Sequence, residues 1–178
     1  MARATLGSPQ RSEKGTMAVK DMNQLLKHEL GDLLYAERTF LKGLKKMSRE
    51  ISDPMMNERV VKHAAETEQQ IEVLGKAFES IGLKPRAEKC DAAIGLKEEH
   101  DSFLEDEEPS KAMLEAFDLG SGLRIEHYEI AGYRSAIAIA KVLGNTECAK
   151  LLEKNLDQEV AMATFLEQNA LSALQKLG

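Results

Sequence analysis

The sequence predicts an all-α protein: four long helices packed as a bundle, with one long connection between the second and third that carries a short extra helix. Three observations point there. Aromatic residues reach only 4% and Trp is absent, whereas Ala, Leu, Lys and Glu dominate, and strands would draw on β-branched and aromatic side chains instead. Apolar residues recur at spacings of three and four through four separate stretches. The connections between those stretches run short, long, short. At 178 residues the chain is most simply one domain with a core that needs no staples.

The first helix is expected from about Val19 to Arg49, with Leu26, Leu30, Leu33, Leu34, Leu41 and Leu44 on one face. In "SDPMM" Ser52 or Asp53 can cap the second, and Pro54 suits its first turn. That helix runs to about Ile81, with Val60, Ala64, Thr67, Ile71, Leu74, Phe78 and Ile81 as a bundle seam. Gly82 and Pro85 stop it. Residues 83–108 form the long connection, with a short helix in "AEKCDAAIGLKEEHDSFLED". The third long helix is expected from near Pro109 to Gly144, and the fourth from an Asn145 cap to about Leu177. Two antiparallel hairpins joined by a connection long enough to travel back along the bundle make the one-crossover topology of ferritin-like folds; an up-down-up-down bundle would need only a few residues there. Residues 1–17 are polar and mixed and read as a flexible N-terminal tail, with 18–178 as the bundle domain.

Composition also excludes. A net charge of −6 and the lack of a basic stripe with interleaved aromatics argue against nucleic-acid binding, while an acidic chain draws in cations. No stretch nears the ~18 consecutive apolar residues of a membrane span, and no apolar signal region opens the chain, so the cytoplasm is the expected compartment. Cys90 and Cys148 fit neither a disulfide framework nor a Cys-rich zinc site and read as small packing residues.

Each long helix carries glutamate near its midpoint: Glu37 in the first, Glu66 in the second, Glu126 and Glu129 in the third, Glu159 in the fourth. Mid-helix residues share one height in a four-helix bundle whichever way each helix runs, so all five can meet at one level of the core. Ionised carboxylates cannot share an apolar interior unaided, since even one unpaired buried charge costs several kcal/mol. Two divalent cations would resolve this, and carboxylate oxygens suit hard metals. The competing reading is solvent. With 30% of the chain charged, some glutamates fall mid-helix by coincidence, Glu66 stands one position off the cleanest seam, and Arg124 or Arg134 can pair with the acids of the third helix. His127 points away from Glu126. Tyr133, four after Glu129, can reach a carboxylate or simply pack.

The segments "HELGDLLYAERTFLKGLKKM", "KHAAETEQQIEVLGKAFESIG", "KCDAAIGLKEE", "IEHYEIAGYRSAIAIAKVLG" and "LDQEVAMATFL" resemble, in order and spacing, the YciF-like branch of the ferritin-like, rubrerythrin-related di-iron carboxylate proteins. The resemblance extends from Met17 to Leu177. It implies that Glu37, Glu66, Glu126, Glu129 and Glu159 are metal ligands, and the 33-residue separation of Glu126 and Glu159 is what the family pattern leads one to expect. The chain departs from the pattern where Gln69 replaces the histidine three after Glu66, and where no histidine follows Glu159. His63, three before Glu66, is the available substitute, as ligand or as a donor to one.

Two functions compete. In the first, a di-iron stress-response protein binds two Fe(II) ions, or manganese or another divalent metal, and oxidises iron with O2 or peroxide. The Cys-rich module with which rubrerythrins feed electrons in is lacking. In the second, a helical bundle without a metal centre acts through its surface, and small residues such as Gly132, Ala136 and Ala140 serve helix association. A homodimer is the expected assembly in either case.

Overall fold

A computed structural model describes residues 19–177; the expected tail at 1–17 lies outside the described residues. Five helices follow in order: α1 (Met22–Met47), α2 (Pro54–Ser80), α3 (Asp91–Asp106), α4 (Lys111–Val142) and α5 (Thr146–Leu177). The chain is all-α, and among the described residues there is no strand. Each expected helix is present, with ends shifted by no more than about three residues.

Local chemistry sets those ends. The Asp21 carboxylate accepts from Gln24 N at the start of α1, and Asp53, not Ser52, accepts from Met55 N and Met56 N at the start of α2. Ser52 instead donates to Glu115 Oε1 at 2.7 Å, tying the α1–α2 turn to α4. Cys90 Sγ accepts from Ala93 N and caps α3, a role beyond packing. Gly82 and Gly144 stand at φ 76° and 75°, the left-handed conformation that ends a helix at little cost only in glycine. Asn145 precedes α5, its carbonyl accepting from Ala149 N.

The four long helices close a ring: α1 and α5 each pack on both α2 and α4. Residues 81–90 return along α1. Glu88 N donates to Gly31 O at 3.0 Å, and Cys90 and Ala93 reach Ala36 and Phe40 farther along α1. α3 then lies against α1 and α4, and α4 enters antiparallel to α1. The small-residue stripe is spent inside this ring. Ala136 and Ala140 are buried in the main core, and a Cβ on Gly132 would meet Leu33 Cδ2 at 3.0 Å.

Every long helix reads apolar, polar, apolar along its inner face. One end of the bundle holds Leu26, Leu30, Leu33, Leu34, Leu74, Phe78, Ile137 and Leu152. The other holds Met56, Val60, Met162 and Leu166, with Leu44, Met47, Leu119 and Leu123 against them. Between these two apolar ends lie Glu37, His63, Thr67, Gln70, Glu126, Glu129, Asn155 and Glu159, all buried.

Two glycines of α1 separate helix propensity from packing. A Cβ at Gly43 meets nothing within 4 Å, whereas one at Gly31 comes 2.7 Å from Glu88 Cγ and 3.1 Å from Arg86 O. Gly43→Ala is therefore expected to stabilise the fold by up to about 1 kcal/mol. Gly31→Ala gains the same propensity but must displace the returning connection. Urea unfolding of the two variants should rank Gly31→Ala clearly below Gly43→Ala.

Candidate metal centre

α1 contributes Glu37, α2 His63 and Glu66, α4 Glu126 and Glu129, and α5 Glu159. Four of the five glutamates expected at one level, Glu37, Glu126, Glu129 and Glu159, are at most 3% exposed. His63 enters with them. Its Nε2 lies 3.2 Å from Glu126 Oε1 and 3.6 Å from Glu159 Oε2, and its Nδ1 lies 3.3 Å from Glu66 Oε2. His63, Glu126 and Glu159 each bring one donor atom within 4.8 Å of the other two. Three elements thus present three ligand-type atoms to one point.

Glu66 stands at the edge of this group. It is half-buried, bonded by Arg59 Nη1 at 2.8 Å and by the His63 ring, with Lys62 Nζ at 3.5 Å. Gln69 faces solvent, and Gln70 is the buried amide of α2. Its Nε2 donates to Glu159 Oε1. Tyr133 reaches a carboxylate on another helix from the one expected: its hydroxyl donates to Glu37 Oε1 and accepts from Asn155 Nδ2 at 2.9 Å. Asn155 also donates to Gln70 O, so one amide braces α2 and α4 from α5. His127 is exposed and meets Glu167. Arg124 meets Glu99, so it does not neutralise Glu126 or Glu129.

The charge balance is the telling feature. Burial pushes Glu37 up to about 8, the Tyr133 bond and His63 pulling against it. Burial also drives Glu129 and Glu159 well above the carboxylate range, reinforced by their acidic neighbours Glu37 and Glu126. Burial opposes the charged His63 ring, but hydrogen bonds to Glu126 and Glu66 win and lift it to about 9. Burial likewise opposes charge on Glu66, and the His63 and Arg59 bonds outweigh it and hold that carboxyl near 2. Even so, Glu126 Oε2, Glu129 Oε1, Glu159 Oε2 and Gln70 Oε1 are buried with no hydrogen-bond partner among the described residues. Orphaned buried acceptors cost roughly 1–3 kcal/mol each, a cost that a hydrogen-bond donor or a cation at them would lift.

A separate chain of polar contacts borders the cluster. Tyr128, next to Glu129 in sequence, donates to Asp32 Oδ2 at 3.0 Å and lies 2.8 Å from Cys90 Sγ. Its role is visible as packing: it holds the returning connection to α1 and α4.

His63, Gln70 and Asn155 were not among the five expected ligands, yet a signal for the α2 pair was present. Met56, His63, Gln70 and Ala77 are seven apart, as are Val60, Thr67 and Leu74. Those two interleaved series are the buried stripe of α2, so the heptad marks His63 and Gln70 as inward and leaves Glu66 and Gln69 beside it.

The same architecture occurs in known proteins. Protein YciF of Escherichia coli strain K12 is 32% identical over 161 residues, which cover 90% of this chain and 96% of that one. The solved structure of the E. coli stress protein YciF superposes with a TM-score of 0.79 at 30% identity, covering 89% of this chain and 99% of the other. A Rhodopseudomonas palustris structure described as YcfI, a putative structural protein, superposes with a TM-score of 0.81 at 35% identity, covering 85% and 96%. The family model described as "Domain of unknown function (DUF892)" matches residues 21–177, the whole of the bundle from the cap of α1 to the end of α5. The chain is a homologue of YciF and belongs to the DUF892 family.

Proposed function

We propose that the mid-bundle cluster is a two-metal carboxylate centre of the ferritin-like, di-iron kind, and that the protein binds Fe(II) there and oxidises it with O2 or peroxide in a stress-response role. One observation carries the reading. Four carboxylates and an imidazole converge at one buried level with three carboxylate oxygens left without a partner among the described residues. Oxygen donors with one imidazole suit iron or manganese rather than a thiophilic ion. His63, Glu126 and Glu159 would hold one ion. Glu37 and Glu129 are the carboxylates available to a second. Glu66 turns the imidazole through Nδ1, leaving Nε2 toward the centre, while Arg59 holds the same Oε2 of Glu66.

A bound metal pair supplies the redox electrons and the Lewis acidity. The chain supplies the rest. Glu37, Glu129 and Glu159 hold protons while the site lacks a cation and give them up when one arrives. Tyr133, itself fixed by Asn155, aims Glu37. Gln70 fixes one oxygen of Glu159 and leaves the other open. The apolar layer around Leu26 and Phe78 excludes water from one side, which strengthens the electrostatic contacts there. The E. coli relative is named a stress protein, and a cytoplasmic homodimer completes the reading. The R. palustris relative's description as a putative structural protein favours a second reading, a non-catalytic interaction bundle. The burial of Ala136 and Ala140 takes away one surface on which that reading relied.

Metal-stripped protein titrated anaerobically with Fe(II), then exposed to oxygen while the near-ultraviolet spectrum is recorded, should take up about two irons per chain and oxidise them rapidly. Glu126→Ala and Glu159→Ala should each lose binding and oxidation while retaining helicity by circular dichroism. Uptake no greater than that of the variants would leave the interaction-bundle reading.

The proton balance gives a second test. Glu37, Glu129 and Glu159 have folded-state pKa values raised from 4.5. Unfolding above pH 4.5 therefore releases their protons, and the stability they contribute declines as pH rises above 4.5, in the case of Glu37 through about 8. His63 has the same sign: its contribution is complete below 6.5 and gone above about 9. Glu66 has the opposite sign, contributing above 4.5 and losing that only as pH falls toward about 2. The melting temperature of the metal-free protein should fall between pH 5 and pH 9, and saturating Mn(II) should largely remove the fall. A metal-free melting temperature that rises over this interval contradicts the buried-proton account.

A further inference from the structure

The two apolar ends of the bundle are not filled alike. The end around Leu26 and Phe78 is closed by fully buried side chains, whereas the other holds a cavity of about 580 Å³ opening to solvent between the C-terminal half of α1, α3 and the ends of the other long helices. Its inner end is His63, Glu126 and Glu129. A divalent cation with six waters needs only about 200 Å³, at about 30 Å³ per water. The cavity therefore has room for an ion that still carries its hydration.

One wall is polar. α4 lines the cavity with Glu115, Asp118, Gly122, Glu126 and Glu129, whose steps of three, four, four and three make a single helical stripe. The facing walls are apolar: Phe40, Leu44, Met47, Met56 and Met162. Charge is sorted by depth. The lysines of the lining, Lys42, Lys46, Lys97 and Lys176, are all exposed, and Lys97 and Lys176 are paired with Asp101 and Asp53 at the rim. The acids of the α4 stripe are all buried.

Those acids keep coordinating capacity. Glu115 accepts from Ser52 Oγ at 2.7 Å with Lys111 Nζ at 3.9 Å, and Asp118 meets His100 Nε2 at 3.0 Å; a carboxylate offers about four lone-pair positions. Glu126 Oε2 and Glu129 Oε1, both on residues only 3% exposed, have no partner among the described residues. The imidazoles on the path, His63 and His100, are bonded to acids and are ligand-type donors themselves. A cleft whose buried side chains are mainly of one sign, between low-dielectric walls, concentrates ions of the other sign and speeds their arrival.

We infer that this cavity is the entry path of the metal centre: Glu115 and Asp118 take a divalent cation from water and pass it along α4 to Glu126 and Glu129. The inference rests on the two-metal reading of the mid-bundle cluster. Eight residues separate Asp118 from Glu126, a rise of about 12 Å. Ser121 and Gly122 line the interval, and glycine leaves the passage wide at its middle. A Cβ on Gly122 would stand 3.5 Å from Leu166 Cδ1, an ordinary contact, so a longer side chain there can be built and would project into the path.

Metal-free full-length protein is mixed with Mn(II) by stopped flow at low ionic strength, with a metallochromic dye reporting free ion. The isosteric pair Glu115→Gln/Asp118→Asn should slow uptake at least fivefold and leave the number of ions bound at equilibrium unchanged. Gly122→Leu should slow it at least tenfold, again without changing the number, and Ser121→Leu replaces it if that variant loses helicity. Glu72→Gln/Glu79→Gln, an equal change of charge on exposed positions outside the cavity, should leave the rate as it is. Wild-type uptake that neither the acid pair nor the filled passage slows overturns the path and leaves the metal centre standing. Equal slowing by the Glu72 and Glu79 pair also overturns it, since net charge would then set the rate. Absence of Mn(II) and Fe(II) uptake by the wild type sinks the metal centre and the path together.

Discussion

Four carboxylates and one imidazole occupy a single buried level of the bundle, and the rest of the molecule is organised around keeping them there. Without a cation the level survives by holding protons: Glu129 and Glu159 well above their usual range, Glu37 up to about 8, and His63 charged to about 9. That solution is incomplete. Hydrogen bonds neutralise direction as well as charge, and the orphaned oxygens of Glu126, Glu129 and Glu159 show that protons and side chains together do not fill the available acceptor sites. An apolar set of the same volume would have been less costly. On the proposed function the acids are retained because a bound cation would take the place of those protons.

The scaffold around the acids reflects the same demand. Asn155 links Tyr133 on α4 to the backbone of Gln70 on α2, Tyr133 fixes Glu37 on α1, and Gln70 fixes Glu159 on α5. All four long helices are locked at one height by side chains that never leave the core. A buried network of this kind specifies register more than it adds stability. The apolar layer above it can then be packed solid, while the layer below is left open without the helices losing their alignment.

Much of this was legible in the sequence, for identifiable reasons. Helix existence and order follow from strong three-and-four periodicity and from Pro54, Gly82 and Gly144, whose backbone chemistry leaves little choice. The level shared by Glu37, Glu126, Glu129 and Glu159 follows from helix length alone, because each lies near a midpoint. Which way a side chain points at that level depends on phase. In α2 the seam through Val60, Ala64, Thr67 and Ile71 is one of two overlapping tracks, and Glu66 and Gln69 lie to the side of both. Only the heptad of Met56, His63, Gln70 and Ala77 separates inward from sideways. Asn155 and the Tyr133–Glu37 bond join residues 22 and 96 positions apart, pairings that no local pattern encodes. The large cavity was illegible too, since it arises from how far apart helix ends stand and not from what they carry.

The order of His63 and Glu66 bears on how such a centre works. A histidine three after a glutamate would have stood one turn farther along α2, toward the packed end. Here the imidazole comes first, so it lies toward the open end and lines both the cluster and the cavity. Glu66 and Arg59, half-buried beside it, hold its Nδ1 side with an ion pair that tolerates solvent. The imidazole therefore stands between the buried carboxylates and the open end of the bundle. Tyr133 and Gln70 fix Glu37 and Glu159, and Glu66, itself held by Arg59, fixes the ring of His63, so the orientation of each of these three side chains is set by a neighbour outside the set of five.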